Sequence, residues 1–451
     1  MQRIVSRTSD RSKLPARREG AFLPRFRQRY EKPKTLPRKI ERALKKNSKR
    51  LLAGFALLLL LGQTPVFAAT IVVGGPCTLA RAMVAANTDT RVGGFCRPGL
   101  GPDTIVLPPN RPQVLTGVNN RVYGPTGLPV IRSSISIIGN GNTISRHPRA
   151  ASFRIFAVAP NGSLRLSRLT LKGGLAPQLG GGGVRSLGRL VMADVVLDGN
   201  RAYGTGGGFW AQNSVISIRS QFVRNRSFCI PSFSPMVCNG GGGFYATGFA
   251  VPGATNVPHL TVDDSKFTGN AAGEDGGGLQ VKGEATVSNS TFADNAAQQG
   301  GAMAIGTQLA NIIKERLRAA NTVQRSSAAA ISAQTSSVVM TNTTLTDNVA
   351  RQSGGGIAIG DGSDITLTNT VVSGNRAPQA PEVLAEPASF VDTDAFNTFG
   401  QGGNAGVAGF VPGATDTVAA QPPPDPTPGV PPTPPTAGLT PPPPLDQPLP
   451  P

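Results

Sequence analysis

Few residues of this sequence have side chains that could do chemistry, and the most suggestive of them are two adjacent carboxylate pairs. Asp263 and Asp264 are followed by Glu274 and Asp275 within one short stretch. Carboxylate oxygens are ligands that Ca²⁺ prefers, so these pairs could hold a calcium ion or take part in acid–base chemistry. Such a site would need carboxylates that recur at matching positions, beside a basic side chain.

The carboxylates do not recur in that way. Asp194 aligns with Asp264 when the sequence is arranged by its repeats, but Arg219 occupies the equivalent position between them. The chain has two histidines, His147 and His259, and neither has an evident nucleophile as a partner. We therefore interpret the carboxylates as solvated turn residues and predict no catalytic residue, no metal site and no cofactor.

Four other residues share one offset in the repeats and could contact a ligand. Each directly follows an inward-facing position behind a glycine run, which predicts that it faces outward: Arg185, Trp210, Tyr245 and Gln280. Aromatic rings can stack on a sugar, while Arg and Gln can donate hydrogen bonds to its hydroxyl groups. The alternative is structural, with Trp210 and Tyr245 forming an aromatic pair that only stabilises the stack.

These offsets are defined by a repeat of about 25 residues, in which an asparagine precedes the glycine run. A fixed period of this size indicates a solenoid, in which equivalent positions of successive repeats lie above one another. Stacked asparagines can bond to each other through their side-chain amides. We predict such a structural ladder at one corner of the solenoid, formed by Asn200, Asn225, Asn270, Asn295, Asn348 and Asn375.

Apolar and polar residues alternate on both sides of each asparagine, which is typical of strands with one buried face. The position three residues before the asparagine is apolar in every copy: Leu197, Phe222, Phe267, Phe292, Leu345 and Val372. Because one coil cannot bury its apolar face alone, the coils must stack through parallel strands. The pattern predicts an all-β fold, a right-handed parallel β-helix over residues 70–415.

Two motifs resemble those of bacterial surface proteins. Phe-x-x-Asn followed by a glycine run and an aliphatic residue is similar to the repeat of polymorphic outer membrane proteins. The segments Cys77–Met83 and Ala86–Asn87, with Cys96 and Asp103–Ile105, resemble the start of the CSLREA-type surface module. The Asn397–Gly400 element is similar to one that often closes β-helices of this kind. The resemblance implies a pectate-lyase-like superfamily fold that begins with a short helix and is displayed at the cell surface.

The four cysteines form two local pairs, Cys77 with Cys96 and Cys229 with Cys238. In an exported chain this spacing predicts two disulfides, with a zinc site as the alternative. Thr78 is a suitable N-cap for a short helix. A helix held by the first disulfide would cover the open end of the first coil, whose strand edges would otherwise be unpaired.

The N-terminal 69 residues are typical of an export signal. Residues 1–50 form a basic leader with 18 Lys and Arg against 4 Asp and Glu, so the net charge of +19 is no argument for nucleic-acid binding. Residues 51–69 begin with an apolar run, Leu51–Leu61, and end with small residues at Val66 and Ala68. They predict a signal peptide cleaved after Ala68, with an uncleaved membrane anchor as the alternative.

Two further segments depart from the repeat. Residues 416–451 are rich in proline and predict a disordered tail with polyproline II character. Residues 307–325 have apolar side chains at helical spacing, which predicts a helix that packs on the solenoid flank or binds a partner.

The predicted function is that of a secreted or cell-surface, non-catalytic adhesin or surface scaffold. Its partners would be an extracellular glycan or a host or cell-surface protein, with no nucleic acid. A membrane contact is expected only through an uncleaved N-terminal segment. The alternative is a polysaccharide-degrading enzyme of the pectate-lyase-like type, or a glycan-binding module. An enzyme would need outward acidic and basic residues collected in one groove, and the repeats show no such column.

Overall fold

The computed structural model of the chain describes residues 68–178, 180–229, 240–247, 259–306 and 336–419. Within these ranges the strands of successive coils pair in parallel, as in Phe222 with Phe267 and Phe267 with Phe292. The chain therefore folds as an all-β, right-handed parallel β-helix, and this prediction is confirmed.

Several predictions fall on other parts of the chain. The basic leader and most of the signal segment, Cys238, the segment 307–325 and the tail from residue 420 lie outside the described residues. The last strand, Thr417–Val418, lies just beyond the predicted C-terminal limit of the β-helix.

Sheet A is the largest sheet, with 19 strands, because most coils contribute two strands to it. A residue with positive φ separates the two strands of a coil and bends the sheet, as at Asp264 and Asn289. The strands are Thr70–Val72, Asp103–Val106, Gln113–Leu115, Ser134–Arg146, Ser163–Lys172, Arg189–Asp198, Val215–Ile218, Gln221–Val223, His259–Asp263, Lys266–Thr268, Glu284–Ser288, Thr291–Ala293, Ser337–Thr341, Thr344–Thr346, Asp364–Thr368, Val371–Ser373, Phe390–Ala395, Thr398–Phe399 and Thr417–Val418.

The other two faces of the solenoid are sheet B, with nine strands, and sheet C, with five shorter strands in two groups. Sheet B consists of Phe156–Val158, Val184–Ser186, Phe209–Ala211, Phe244–Thr247, Leu279–Lys282, Met303–Ile305, Ile357–Ile359, Val383–Ala385 and Val407–Ala408. Sheet C consists of Leu175–Ala176, Arg201–Tyr203, Arg226–Phe228, Ala296–Gln299 and Val349–Ser353. Single bridges through Ala271 connect the two groups of sheet C.

The N-terminal end is covered by a helix, Leu79–Thr88, which we call α1. The Thr78 side chain caps it by accepting a hydrogen bond from the backbone N–H of Arg81. The disulfide between Cys77 and Cys96, with Cα atoms 5.0 Å apart, closes the segment that contains α1. Cys229 is also disulfide-bonded, while its predicted pairing with Cys238 stays a prediction. No helix among the described residues is long and apolar enough to cross a membrane.

The core is built from columns of like residues. Phe222, Phe267 and Phe292 are fully buried, and their rings stack with centroids 4.4 Å apart. Offset stacking of this kind adds about 0.5–1.5 kcal/mol per pair beyond the burial of apolar area. The phenylalanine three positions before Asn225, Asn270 and Asn295 therefore helps to fix the register of these three coils.

The six predicted ladder asparagines lie in one buried column beside that core. In the first five of them, the side-chain NH₂ donates to the Oδ1 of the next asparagine at 2.8–3.0 Å. In a representative coil, the Asn225 NH₂ also donates to the Leu197 carbonyl at 2.8 Å. The backbone N–H of Asn225 donates to the Asn270 Oδ1 at 3.0 Å. Such an amide thus forms hydrogen bonds with the coils on both sides of its own, as buried polar groups require.

The ladder ends on a carboxyl group. Asn375 has no following asparagine, and its NH₂ donates to Glu382 Oε2 at 2.6 Å. Burial raises the pKa of Glu382 to about 7, against the lowering effect of the hydrogen bonds from Asn375. A glutamate therefore replaces the amide oxygen of the missing coil.

A second column of asparagines runs along the outer bend of sheet A. Asn342 donates to Asn289 at 3.2 Å, and Asn369 donates to Asn342 at 2.7 Å. All three are exposed, and all three have φ near +50°, which asparagine adopts more readily than other non-glycine residues. This outer ladder has the same chemistry as the inner one without its burial.

Candidate functional site

Sheet B brings the four predicted contact residues into one column. Trp210 is in register with Arg185 on one side and with Tyr245 on the other. Gln280 follows in register with Tyr245. The neighbouring positions Phe209 and Leu279 are inside the core, so alternation directs the side chains of Trp210 and Gln280 away from it, as Val184 does for Arg185.

The glycine corner before each of these strands sets this geometry. Gly206 has φ +66°, a left-handed conformation that glycine adopts without strain. A Cβ on Gly207 would lie 2.4 Å from the carbonyl oxygen of Arg226, so the coils are too close there for any side chain. The glycine run therefore lets successive coils approach and places the contact column at the start of each strand.

Arg185 and Trp210 form the best-defined contact of the column. The Arg185 guanidinium carbon lies 4.1 Å from the centroid of the Trp210 ring, a cation–π arrangement. Both side chains are half-buried. Burial lowers the pKa of Arg185 to about 10, so the group remains charged at neutral pH. For Tyr245 the structure describes only the backbone, and a ligand contact by its ring stays a prediction.

Gln280 does not face solvent, contrary to the expectation for an outward position. Its side chain is only 2% exposed, and its NH₂ lies 3.4 Å from Asp275 Oδ2. Its Oε1 is buried and accepts no hydrogen bond from the residues that the structure describes. Outward-facing Ala304 and Ala358 are also buried, so pointing away from the core does not expose a side chain on this part of sheet B.

The interpretation of Glu274 and Asp275 as solvated turn residues is wrong. Asp275 is only 5% exposed, and Glu274 is half-buried. Burial raises the pKa of Asp275 to about 7, with a further rise from Glu274 and an opposing effect of Lys282. Burial also raises the pKa of Glu274. The tight glycine corner buries this turn, which the polarity of the two residues does not indicate.

The other predicted turn carboxylates are held by side chains of neighbouring coils. Asp194 accepts two hydrogen bonds from the Arg219 guanidinium, at 2.8 and 3.1 Å. Asp263 accepts hydrogen bonds from Ser288 at 2.7 Å and Asn289 at 2.8 Å. Hydrogen bonds lower the pKa of both carboxyls, from Arg219 at Asp194 and from Ser288 and Asn289 at Asp263. These carboxylates stay ionised and link coils.

The two histidines are far apart in the fold. His259, at the start of a sheet A strand, lies 3.1 Å from Thr286 and 3.8 Å from the Glu284 carboxylate. The His147 Nδ1 accepts a hydrogen bond from the backbone N–H of Arg149. Among the described residues, no group of three or more His, Cys, Asp or Glu side chains is arranged to hold a metal ion.

Arg154 is a residue that the sequence reasoning missed. Its side chain is fully buried, and its guanidinium donates to backbone carbonyls of Tyr123, Gln178 and Gly180. Burial lowers the pKa of Arg154 to about 9, with a smaller effect from the charge of Arg185. Its position between Phe153 and Ile155 in an apolar run was the available signal. Arg154 fixes the carbonyls of the first glycine corner beside Arg185.

Comparison with known families supports the fold over part of the chain. Residues 238–378 match a family model described as a right handed beta helix region. The chain matches no curated protein and no solved structure. The repeat of asparagines and glycines predicted a right-handed β-helix. The matched family model describes the same fold.

Proposed function

We propose that the protein is a secreted or cell-surface binding scaffold without catalytic activity, which engages a glycan through sheet B. The observation that carries this proposal is the Arg185–Trp210 pair, a guanidinium 4.1 Å from an indole ring on the outer side of the solenoid. An indole offers a flat apolar surface to a sugar ring, and a guanidinium offers several hydrogen-bond donors to its hydroxyls.

The chemistry of the carboxylates favours binding over catalysis. Asp194 and Asp263 are committed to hydrogen bonds between coils. Asp198 accepts a hydrogen bond from the Arg224 guanidinium at 2.7 Å, and its other oxygen lies 3.4 Å from the Lys172 ammonium. Carboxylates that stabilise the stack in this way are poorly placed to exchange protons with a substrate. The resemblance to CSLREA-type and polymorphic outer membrane proteins also favours a surface location and an adhesive role.

The test is a glycan array probed with the exported chain, which begins at Ala69 after the predicted cleavage site, and with two variants at one position. Trp210→Ala removes the flat surface, whereas Trp210→Phe keeps an aromatic ring and serves as the matched control. We expect a defined set of glycans to bind the parent chain and the Phe variant, and to lose binding to the Ala variant. Urea unfolding of both variants separates loss of binding from loss of structure.

Three results would overturn the proposal. The first is an identical binding profile for the parent chain and Trp210→Ala, and the second is no bound glycan at all. The third is the release of unsaturated or reducing products from a polysaccharide such as polygalacturonate, which would favour the alternative of a polysaccharide-degrading enzyme.

A further inference from the structure

The charge of the solenoid is divided sharply along its axis. Residues 68–229 contain 18 Arg and Lys against 4 Asp and Glu, a net charge of +14. Residues 240–306 and 336–419 together contain 4 Arg and Lys against 14 Asp and Glu, a net charge of −10. Such a field concentrates anions at the N-terminal coils and speeds their association.

Two of these arginines lie directly above one another on the outer side of sheet C. Arg201 and Arg226 are in register in neighbouring parallel strands, which are about 4.8 Å apart. The following residues, Ala202 and Ser227, are fully buried, so alternation directs both arginines outward. Each arginine is half-buried, and neither forms an ion pair with a carboxylate of the described chain.

In this respect Arg201 and Arg226 differ from other arginines in the same coils, which form ion pairs. Arg219 is paired with Asp194, and Arg224 is paired with Asp198. Like charges placed directly opposite in a sheet destabilise it. The pKa of Arg226 is accordingly lowered, first by burial and then by the charge of Arg201. A bound anion would remove this repulsion.

Arg146 adds a third positive group from the preceding coils. Its guanidinium is fixed by hydrogen bonds to the carbonyls of Gly173 at 2.9 Å and Ala150 at 2.6 Å. Burial lowers its pKa, and the charge of Arg201 lowers it further, so the two guanidinium groups influence each other. Arg201 therefore lies between two other positive side chains.

Aromatic rings occupy the next outward positions of the same two strands. Tyr203 and Phe228 are in register, and their ring centroids are 5.6 Å apart with the planes tilted by 37°. Both rings are half-buried, so part of each surface reaches solvent. The face thus combines stacked arginines with a pair of aromatic rings at a separation of two residues along each strand.

We propose that Arg201, Arg226, Tyr203 and Phe228 form a binding site for an anionic glycan, a sugar that carries a carboxylate or phosphate group. The guanidinium groups bind the anionic group through charge-assisted, bidentate hydrogen bonds. The rings stack on the adjoining sugar, as at other carbohydrate-contacting aromatic surfaces. This site is on sheet C, separate from the Arg185–Trp210 pair on sheet B, and it does not depend on that pair.

The experiment is isothermal titration calorimetry on the exported chain with four probes. Trigalacturonate supplies carboxylates, mannose 6-phosphate supplies a phosphate, galactotriose is the neutral sugar, and inorganic phosphate is the anion without a sugar. We expect one or both anionic sugars to bind, the neutral trisaccharide to bind at least about tenfold more weakly, and the affinity to fall as salt is raised. The carboxylate and phosphate arms identify the source of the negative charge.

Three double variants locate the site. Arg201→Gln/Arg226→Gln should weaken the anionic sugar about tenfold or more, because it removes charge-assisted hydrogen bonds. Arg165→Gln/Arg189→Gln removes the same charge from exposed positions on sheet A of the same region and should change the affinity less than about threefold. Tyr203→Ala/Phe228→Ala should weaken the anionic sugar but leave inorganic phosphate unchanged.

The proposal is overturned if no anionic probe binds, or if galactotriose binds as tightly as trigalacturonate. Equal losses in the two arginine variants would also overturn it, since they would assign binding to the general field of the N-terminal coils. Trp210→Ala is expected to leave this binding intact. If no glycan on the array depends on Trp210 while trigalacturonate still binds the parent chain, only the sheet B proposal is contradicted.

Discussion

The coils between residues 134 and 229 and those between 259 and 399 share their interior columns but present different side chains to solvent. The buried asparagine ladder runs through both regions without a break, from Asn200 to Asn375. On the outer side of sheet A, the first region shows arginines such as Arg165 and Arg189. The second region shows the outer asparagine ladder that includes Asn342.

This difference follows from what each column must satisfy. An interior side chain has to match the residue above and the residue below, because an unpaired buried amide costs about 1–3 kcal/mol. An outer side chain can form hydrogen bonds with water instead of with the side chain of the neighbouring coil. The outer columns are therefore free to vary in charge between the two regions, and the N-terminal region has become strongly basic while the C-terminal region has become acidic.

The largest effect is expected from breaking the interior column in its middle. Asn270→Ala removes the acceptor of both the Asn225 NH₂ and the Asn225 backbone N–H. It also removes the donor to the Phe222 carbonyl. With several buried groups left unpaired, we expect the free energy of unfolding to fall by about 3–5 kcal/mol in urea titrations.

Asn342→Gly is the matched control in the outer ladder. It removes an exposed amide and keeps the positive φ of +51° at that position without strain. Its free energy of unfolding should stay within about 1 kcal/mol of the parent chain. If the two variants lost the same stability, burial would not be what distinguishes the inner ladder from the outer one.

The pH dependence of stability should come from the C-terminal region. Burial raises the pKa of Asp275 and of Glu382 to about 7, above the usual range of carboxyls. The folded chain then binds more protons than the unfolded chain between about pH 4 and 7, so the free energy of unfolding falls as pH rises through this window. Asp275→Asn should flatten that dependence and raise stability at pH 8, by at most roughly 4 kcal/mol. A parent chain whose stability rises from pH 5 to 8 would contradict these burial effects.

A smaller effect is expected at the Arg185–Trp210 pair. Arg185→Gln removes the cation–π contact from two half-buried side chains and should lower the free energy of unfolding by about 0.5–2 kcal/mol. Arg165→Gln, at an exposed position without such a contact, should change it by less than about 0.5 kcal/mol. Differential scanning calorimetry of both variants is the measurement. Indistinguishable melting temperatures would show that the pair adds nothing to the stack.

The sequence was most informative where a residue repeats with the coil. The spacing of Asn225, Asn270 and their equivalents, with an apolar residue three positions earlier, was enough to predict the strands, the register and the fold. Stacking imposes that regularity, since each coil needs like residues above and below it. Thr78 was likewise readable as a helix cap, because capping depends on local chemistry.

The structural roles of residues that depart from the repeat were not predictable in the same way. Glu382 ends the ladder from a position where the other coils have glycine or alanine, so no repeat marks its role. Aspartate is a residue type common in turns, and the burial of Asp275 comes from the packing of neighbouring coils. Arg201 and Arg226 directly follow ladder asparagines, so the repeat aligns them, whereas their partial burial and the nearby charge of Arg146 depend on the packing of the coils.

Native-state hydrogen exchange at the ladder backbone tests the central claim most directly. The backbone N–H groups of Asn200, Asn225, Asn270, Asn295 and Asn348 each donate to the next Oδ1 at 3.0 Å. One continuous buried ladder predicts slow exchange at all five backbone N–H groups, at comparable rates in the two regions. Fast exchange at Asn295 and Asn348, with slow exchange confined to the N-terminal coils, would contradict an interior common to both regions.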